Sequence, residues 1–128
     1  AGDHLKFEFD MGEDSVSDTL GYSVGGGKEL VKIYNFDTGS DELKTNGGAN
    51  ATGVGATTAA GIIGGALGTT MHASELAYGS ATGTFFYHGD MFFIGEASEG
   101  TEWMFEDGEV VFQFVGISDI SGSDITGI

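Results

Sequence analysis

Residues 45–74 run for thirty positions without one Asp, Glu, Lys or Arg, inside a chain whose flanks are dense in acids. That segregation restricts the fold, because an uncharged stretch of Gly, Ala and Thr needs a surface supplied by the rest of the chain. Ala59, Ile62, Ile63, Ala66 and Leu67 recur at i, i+3, i+4, i+7 and i+8, the spacing of one helix face. Gly61, Gly64, Gly65 and Gly68 interrupt the pattern, each unfavourable by about 1 kcal/mol relative to Ala in a helix interior. Such a helix does not stand alone. The five apolar residues are its expected interface, either inside the chain or against another copy. Gly61 and Gly65 also have the small-xxx-small spacing of membrane helix pairs. The apolar content is too thin for a bilayer, so the sequence predicts no membrane span.

The flanks read as strands. His4 to Asp10 alternates apolar and charged residues, with Leu5, Phe7 and Phe9 on one face. Glu29 to Phe36 is apolar on both faces and reads as a more central strand. Tyr22-Ser23-Val24, before Gly25-Gly26-Gly27, is expected to pair with it as a hairpin. Beyond the insert, Thr84–Tyr87 and Met91–Ile94 flank His88-Gly89-Asp90, a second hairpin by turn chemistry. Glu102–Phe105 and Glu109–Val115 follow as strands, and Ser-Asp-Ile occurs twice in the tail, at 118–120 and 123–125. The fold predicted is mainly β, an antiparallel sandwich or roll with one short Gly/Ala-rich helical insert. Residues 1–128 make one domain of three zones: acidic strands over 1–44, the helical insert over 45–77, and a C-terminal β zone over 78–128.

Charge narrows the partners. Twenty Asp and Glu face four Lys and no Arg, a net charge of -16. A body that acidic repels phosphate, which argues against nucleic acid and anionic membranes. It also repels itself unless cations or a salty medium neutralise it. Solvated carboxylates would be spread over faces, whereas carboxylates that hold divalent cations would cluster in loops. With no Cys there are no disulfides and no thiolate metal sites, while 24 Gly and no Pro suggest tight turns.

Position favours the loops. Phe9-Asp10-Met11-Gly12-Glu13-Asp14 and Phe36-Asp37-Thr38-Gly39-Ser40-Asp41 share the form Phe-Asp-x-Gly-x-Asp, each after an expected strand. Phe105-Glu106-Asp107-Gly108-Glu109 is a looser third copy. Calcium takes six to eight oxygens, so paired carboxylates and turned carbonyls suit it better than they suit magnesium. The candidate metal residues are Asp10, Asp14, Asp37, Ser40, Asp41, Glu106, Asp107 and Glu109. The alternative is that Asp-x-Gly is an ordinary turn, for which Asp and Gly are favoured without any metal.

Catalysis finds no foothold in the pattern. No Cys nucleophile, Gly-x-Ser-x-Gly or phosphate loop is present, and His4, His72 and His88 show no metal spacing. Phe85, Phe86, Tyr87, Phe92, Phe93 and Trp103 suit a sugar platform or, more simply, a β core.

Thr84–Phe93, the acidic turn at Glu106–Glu109, and Val115-Gly116-Ile117-Ser118-Asp119-Ile120-Ser121 together resemble the C-terminal region of proteins exported by type I secretion. That group includes bacterial S-layer proteins and RTX-related adhesins. Ile33–Leu43 is similar to a segment that precedes such endings. The resemblance implies a secreted β-rich domain, calcium binding with Asp37 and Asp41 as contacts, and export by an uncleaved C-terminal signal. The glycine-rich Gly-Gly-x-Gly-x-Asp nonapeptide is absent, and with it the calcium roll that it builds. The expected function is a non-enzymatic structural subunit of a calcium-dependent extracellular assembly, self-associating as an oligomer or polymer at a cell surface or in a matrix. The alternatives are an adhesin or carbohydrate-binding module, or the secretion domain of a larger exported protein.

Overall fold

A computed structural model describes residues 5–11, 19–22, 29–45, 56–80, 84–96, 109–120 and 124–126. The period-two and doubly apolar segments form strands: β1 (Leu5–Asp10), β2 (Thr19–Tyr22), β3 (Glu29–Tyr34) and β4 (Glu42–Thr45). Helix α1 (Ala56–Leu67) follows. After it come β5 (Ala77–Tyr78), β6 (Thr84–Tyr87), β7 (Asp90–Glu96), β8 (Glu109–Phe114) and β9 (Ile125–Thr126). The chain is mainly β with one short helical insert.

The strands make a six-stranded sheet, ordered β1-β3-β8-β7-β6-β5, and a three-stranded sheet, ordered β2-β4-β9. Pairing is mixed. β5 to β8 are antiparallel neighbours, whereas β1, β3 and β8 run parallel, as do β2, β4 and β9. Three coils explain the parallel half. In each, a strand of the large sheet is followed in sequence by a strand of the small one: β1 by β2, β3 by β4, β8 by β9. Leu5 pairs with Glu29 and Glu29 with Val110, while Leu43 pairs with both Leu20 and Ile125. The hairpin expected between β2 and β3 is therefore not made. Within these coils the two strands lie in opposite sheets, and each finds a parallel hydrogen-bonding neighbour one coil away.

The large sheet is the middle of three layers. One face, with Val31, Ile33, Phe93, Phe112 and Phe114, packs toward Leu43, Leu20 and Ile125 of the small sheet. The other, with Leu30, Phe85, Phe92, Ile94 and Val111, is covered by α1. Phe85, Phe92, Phe93, Phe112 and Phe114 are fully buried, each contributing about 1.5–3 kcal/mol of apolar transfer free energy. β3, apolar on both faces, sits between two parallel neighbours, β1 and β8, with both sides covered, as the double pattern of Glu29–Phe36 predicts.

The helix accounts for the uncharged run. Ala59, Ile62, Ile63 and Ala66 are buried and Leu67 half-buried, all against the chain's own sheet. As an interface to another copy this stripe is corrected: its apolar area is already covered inside the chain. The helix ends at Gly68 with φ 76°, and Thr69 donates its N–H to the Gly64 carbonyl at 2.9 Å, a Schellman cap. The hairpin Thr84–Glu96 turns on His88 (φ 47°) and Gly89 (φ 84°), the two left-handed residues of a type I′ loop. Among the described residues no helix is long and apolar enough to cross a membrane.

Candidate functional site

The corners between the two sheets carry the acids. In the second coil the chain leaves β3 through Asn35, whose φ of 59° turns the backbone out of the strand. Counting on from the Ile33–Phe114 pair, the third coil has Gly116 at the same place, with φ 77°. Phe36 then folds inward and is buried, with its ring 4.9 Å from Phe114 edge to face. Asp37 through Ser40 form an exposed turn over Gly39, φ 89°. Ser40 and Asp41 donate their N–H groups to the Asp37 carbonyl, and Asp41 Oδ2 accepts the Asp37 N–H at 2.8 Å. Asp41 is buried, and its carboxylate closes its own corner.

The third coil closes onto the second. Asp124, buried, accepts the Gly39 N–H through Oδ1 at 2.9 Å, joining corners that are 85 residues apart in sequence. Asp119 accepts the Ser80 N–H at 2.9 Å, the Ser80 hydroxyl and the Ile120 N–H, linking this corner to the strand after α1. The Ser80 hydroxyl bond, followed by the Ser80 backbone bond, lowers the Asp119 pKa below the usual carboxylate value. Thr38, Gly39, Asp119 and Asp124 line an open cleft of about 310 Å³.

The sequence-expected metal residues divide three ways. Asp37, Ser40 and Asp41 are together in the second corner. Asp10, at the end of β1, accepts the Asn35 side-chain amide at 2.8 Å, so it lies against the same corner from the neighbouring coil. Asp14, Glu106 and Asp107 lie outside the described residues. Glu109 opens β8 opposite Glu96. It stands at the far end of the strands, about 17 Å from the corners at 3.3 Å per residue, and does not join them.

The echo that suggested equivalent loops is out of register. Phe9 pairs with Ile33 and Asp10 with Tyr34, so Phe36-Asp37 lies three positions further along its coil than Phe9-Asp10. Asp119 and Asp124 were not among the expected ligands. Their signal was the doubled Ser-Asp-Ile, in which Ile120 enters the core, Ile125 packs at its edge, and each Asp caps a turn.

These oxygens are the hard donors that calcium or magnesium takes. Asp41 and Asp124 each direct an oxygen to a backbone N–H, and no group of three or more His, Cys, Asp or Glu poised for a metal occurs among the described residues. Asp41 closes its own turn, and Asp124 ties the third corner to the second.

Away from the corners, Tyr34 donates its hydroxyl to Glu8 Oε1 at 3.2 Å. Burial, then the bond to Glu8 and the charges of Glu8 and Asp90, raise its pKa above 10.0. Asp90 accepts from Gln113 Nε2 at 2.7 Å and from the Gly116 N–H at 2.8 Å. The aromatic platform is largely core: Phe85, Phe92 and Phe93 are buried, Phe86 and Tyr87 half-buried, and Trp103 lies outside the described residues. No family model, curated protein or solved structure matches this chain.

Proposed function

We propose that this chain is a non-catalytic structural domain of an extracellular assembly, whose acidic corners bind divalent cations and whose copies associate. The observation that carries the reading is the bond from Asp124 of the third coil to Gly39 of the second, beside an acid-lined cleft, in a body of charge -16. Coils stacked in this way bring carboxylates from separate stretches of sequence onto one edge. Cations there would relieve the self-repulsion that opposes both folding and contact between copies. Asp37, Asp119 and Asp124, with the exposed turn over Thr38 and Gly39, would hold the ion, calcium before magnesium. The secreted location rests on the sequence resemblance.

The test is a calcium titration of the 128-residue chain, following the thermal midpoint and particle size, with magnesium and sodium at equal ionic strength as comparisons. Calcium is expected to raise the midpoint more than either comparison and to enlarge the particles, and Asp119→Asn/Asp37→Asn to blunt both effects. Equal responses to all three salts would leave only charge screening and end the cation part. A monomer in every condition would end the assembly part.

A further inference from the structure

We infer that β1 pairs with β1 of a second copy, antiparallel about Phe7, making a two-fold dimer at the first-coil end of the molecule. The inference rests on the self-association in the reading above and names its contact.

Both sheets end in the same coil at this end. β1 is the last strand of the large sheet and β2 of the small one, and among the described residues no strand lies beyond either. Met11 donates its N–H to the Tyr34 carbonyl, continuing the β1–β3 ladder. In a parallel strand, alternate residues serve one neighbour. Odd-numbered residues of β1 therefore address β3, and Lys6 and Glu8 turn their backbone groups to the open side. Glu8 is exposed.

Antiparallel pairing between two such edges must set even positions against even positions. Centred on Lys6 it places Lys6 against Lys6; centred on Glu8 it places Glu8 against Glu8 at the middle, between two Lys6–Asp10 pairs, so each of these registers keeps a like-charge pair on the axis. Centred on Phe7 it places Lys6 of each copy opposite Glu8 of the other, twice, with Phe7 facing Phe7 and Leu5 facing Phe9. The sequence Leu5-Lys6-Phe7-Glu8-Phe9 thus has apolar residues symmetric, and charges opposite, about its centre. That pattern is what an isologous contact requires. Opposite charges directly across strands stabilise, and like charges destabilise. Because β1 and β2 belong to one coil, an axis normal to the sheets also turns β2 antiparallel to its copy. The other end offers no such pair of edges, since β7 covers β8 in the large sheet.

The experiment is sedimentation of the full chain at fixed ionic strength, with and without calcium, comparing the unmodified chain, Lys6→Glu, Glu8→Lys and the double exchange, each checked for an unchanged melt. The unmodified chain is expected to form a dimer. Either single reversal creates two like-charge pairs and weakens association by about 10-fold or more. The double exchange restores both opposite pairs and returns the affinity to near the original. If Glu8→Lys fails to fold, Lys6→Glu against Lys6→Gln still decides the matter, because reversing the charge must weaken the dimer more than removing it does. A monomeric unmodified chain overturns the inference, as does a dimer unaffected by Lys6→Glu or one the double exchange does not rescue. Calcium-driven particles that persist in Lys6→Glu would leave the cation reading standing while removing this contact.

Discussion

Gly64→Ala tests whether the helix cap is as tightly closed as its geometry indicates. Two effects oppose. Replacing Gly by Ala in a helix gains about 1 kcal/mol from propensity. Against this, a Cβ on Gly64 would meet the Thr69 carbonyl oxygen at 2.8 Å and Met71 Cβ at 3.3 Å. The first distance is roughly 0.5 Å short of a relaxed carbon–oxygen contact. The obstructing atom belongs to backbone whose own N–H is bonded to the Gly64 carbonyl, so it cannot withdraw without loosening the cap. Overpacking of this kind costs about 1–3 kcal/mol, and a lost cap hydrogen bond about 1 kcal/mol more. The clash wins, for a net destabilisation of about 1–3 kcal/mol. In a chain of this length that lowers the thermal midpoint by roughly 3–10 °C. Gly65→Ala is the control, since Gly65 is exposed and a propensity gain of about 1 kcal/mol is expected there. Circular dichroism melts of both variants against the unmodified chain give the answer. Gly64→Ala melting at or above the unmodified chain, or both variants falling together, would refute the argument.

Four further outcomes are expected. Asp124→Ala removes the buried acceptor for Gly39 and should cost about 1–3 kcal/mol in urea unfolding, with Asp124→Asn milder because it keeps an acceptor. Glu29 is buried, and its Oε2 has no partner among the described residues, so Glu29→Leu should raise stability by about 1–2 kcal/mol at neutral pH, read by the same unfolding curves. The lowered pKa of Asp119 contributes stability that is present above 3.8 and lost as pH falls through the folded value, and Ser80→Ala should flatten that part of an acid melt series. The raised pKa of Tyr34 works in the opposite direction: its contribution is complete below 10.0 and lost as pH rises through the folded value, a dependence Tyr34→Phe should remove from alkaline melts.

Much of the fold was legible in short-range pattern. The helix announced itself by the spacing of Ala59 to Leu67, and the Thr84–Glu96 hairpin by His88-Gly89, because both depend on neighbours in sequence. The parallel coils did not, because nothing local in Leu5–Asp10 or Glu29–Tyr34 specifies that the two pair side by side instead of through a hairpin. The corner was half legible. Asp37 and Asp41 stand out by the Asp-x-Gly signature of a turn. Asp119 and Asp124 join them only through three-dimensional stacking, and repeated letters at Asp10 and Asp37 suggested an equivalence that the register denies.

β3 meets β8 only across the whole of residues 35–108, since Glu29 pairs with Val110. Loop closure over that distance is slow, whereas the β6–β7 hairpin and α1 form from close neighbours. The order of events follows from the topology. A chain emerging from its N-terminus can lay down two coils while one flank of β3 stays open until the last third arrives. During that interval the molecule carries an unsatisfied apolar strand in its midst, complementary to β8 of any copy that has finished synthesis. Exchange of the C-terminal segment between chains is thus a hazard written into the strand order, and a short delay between translation and closure would set how often it occurs.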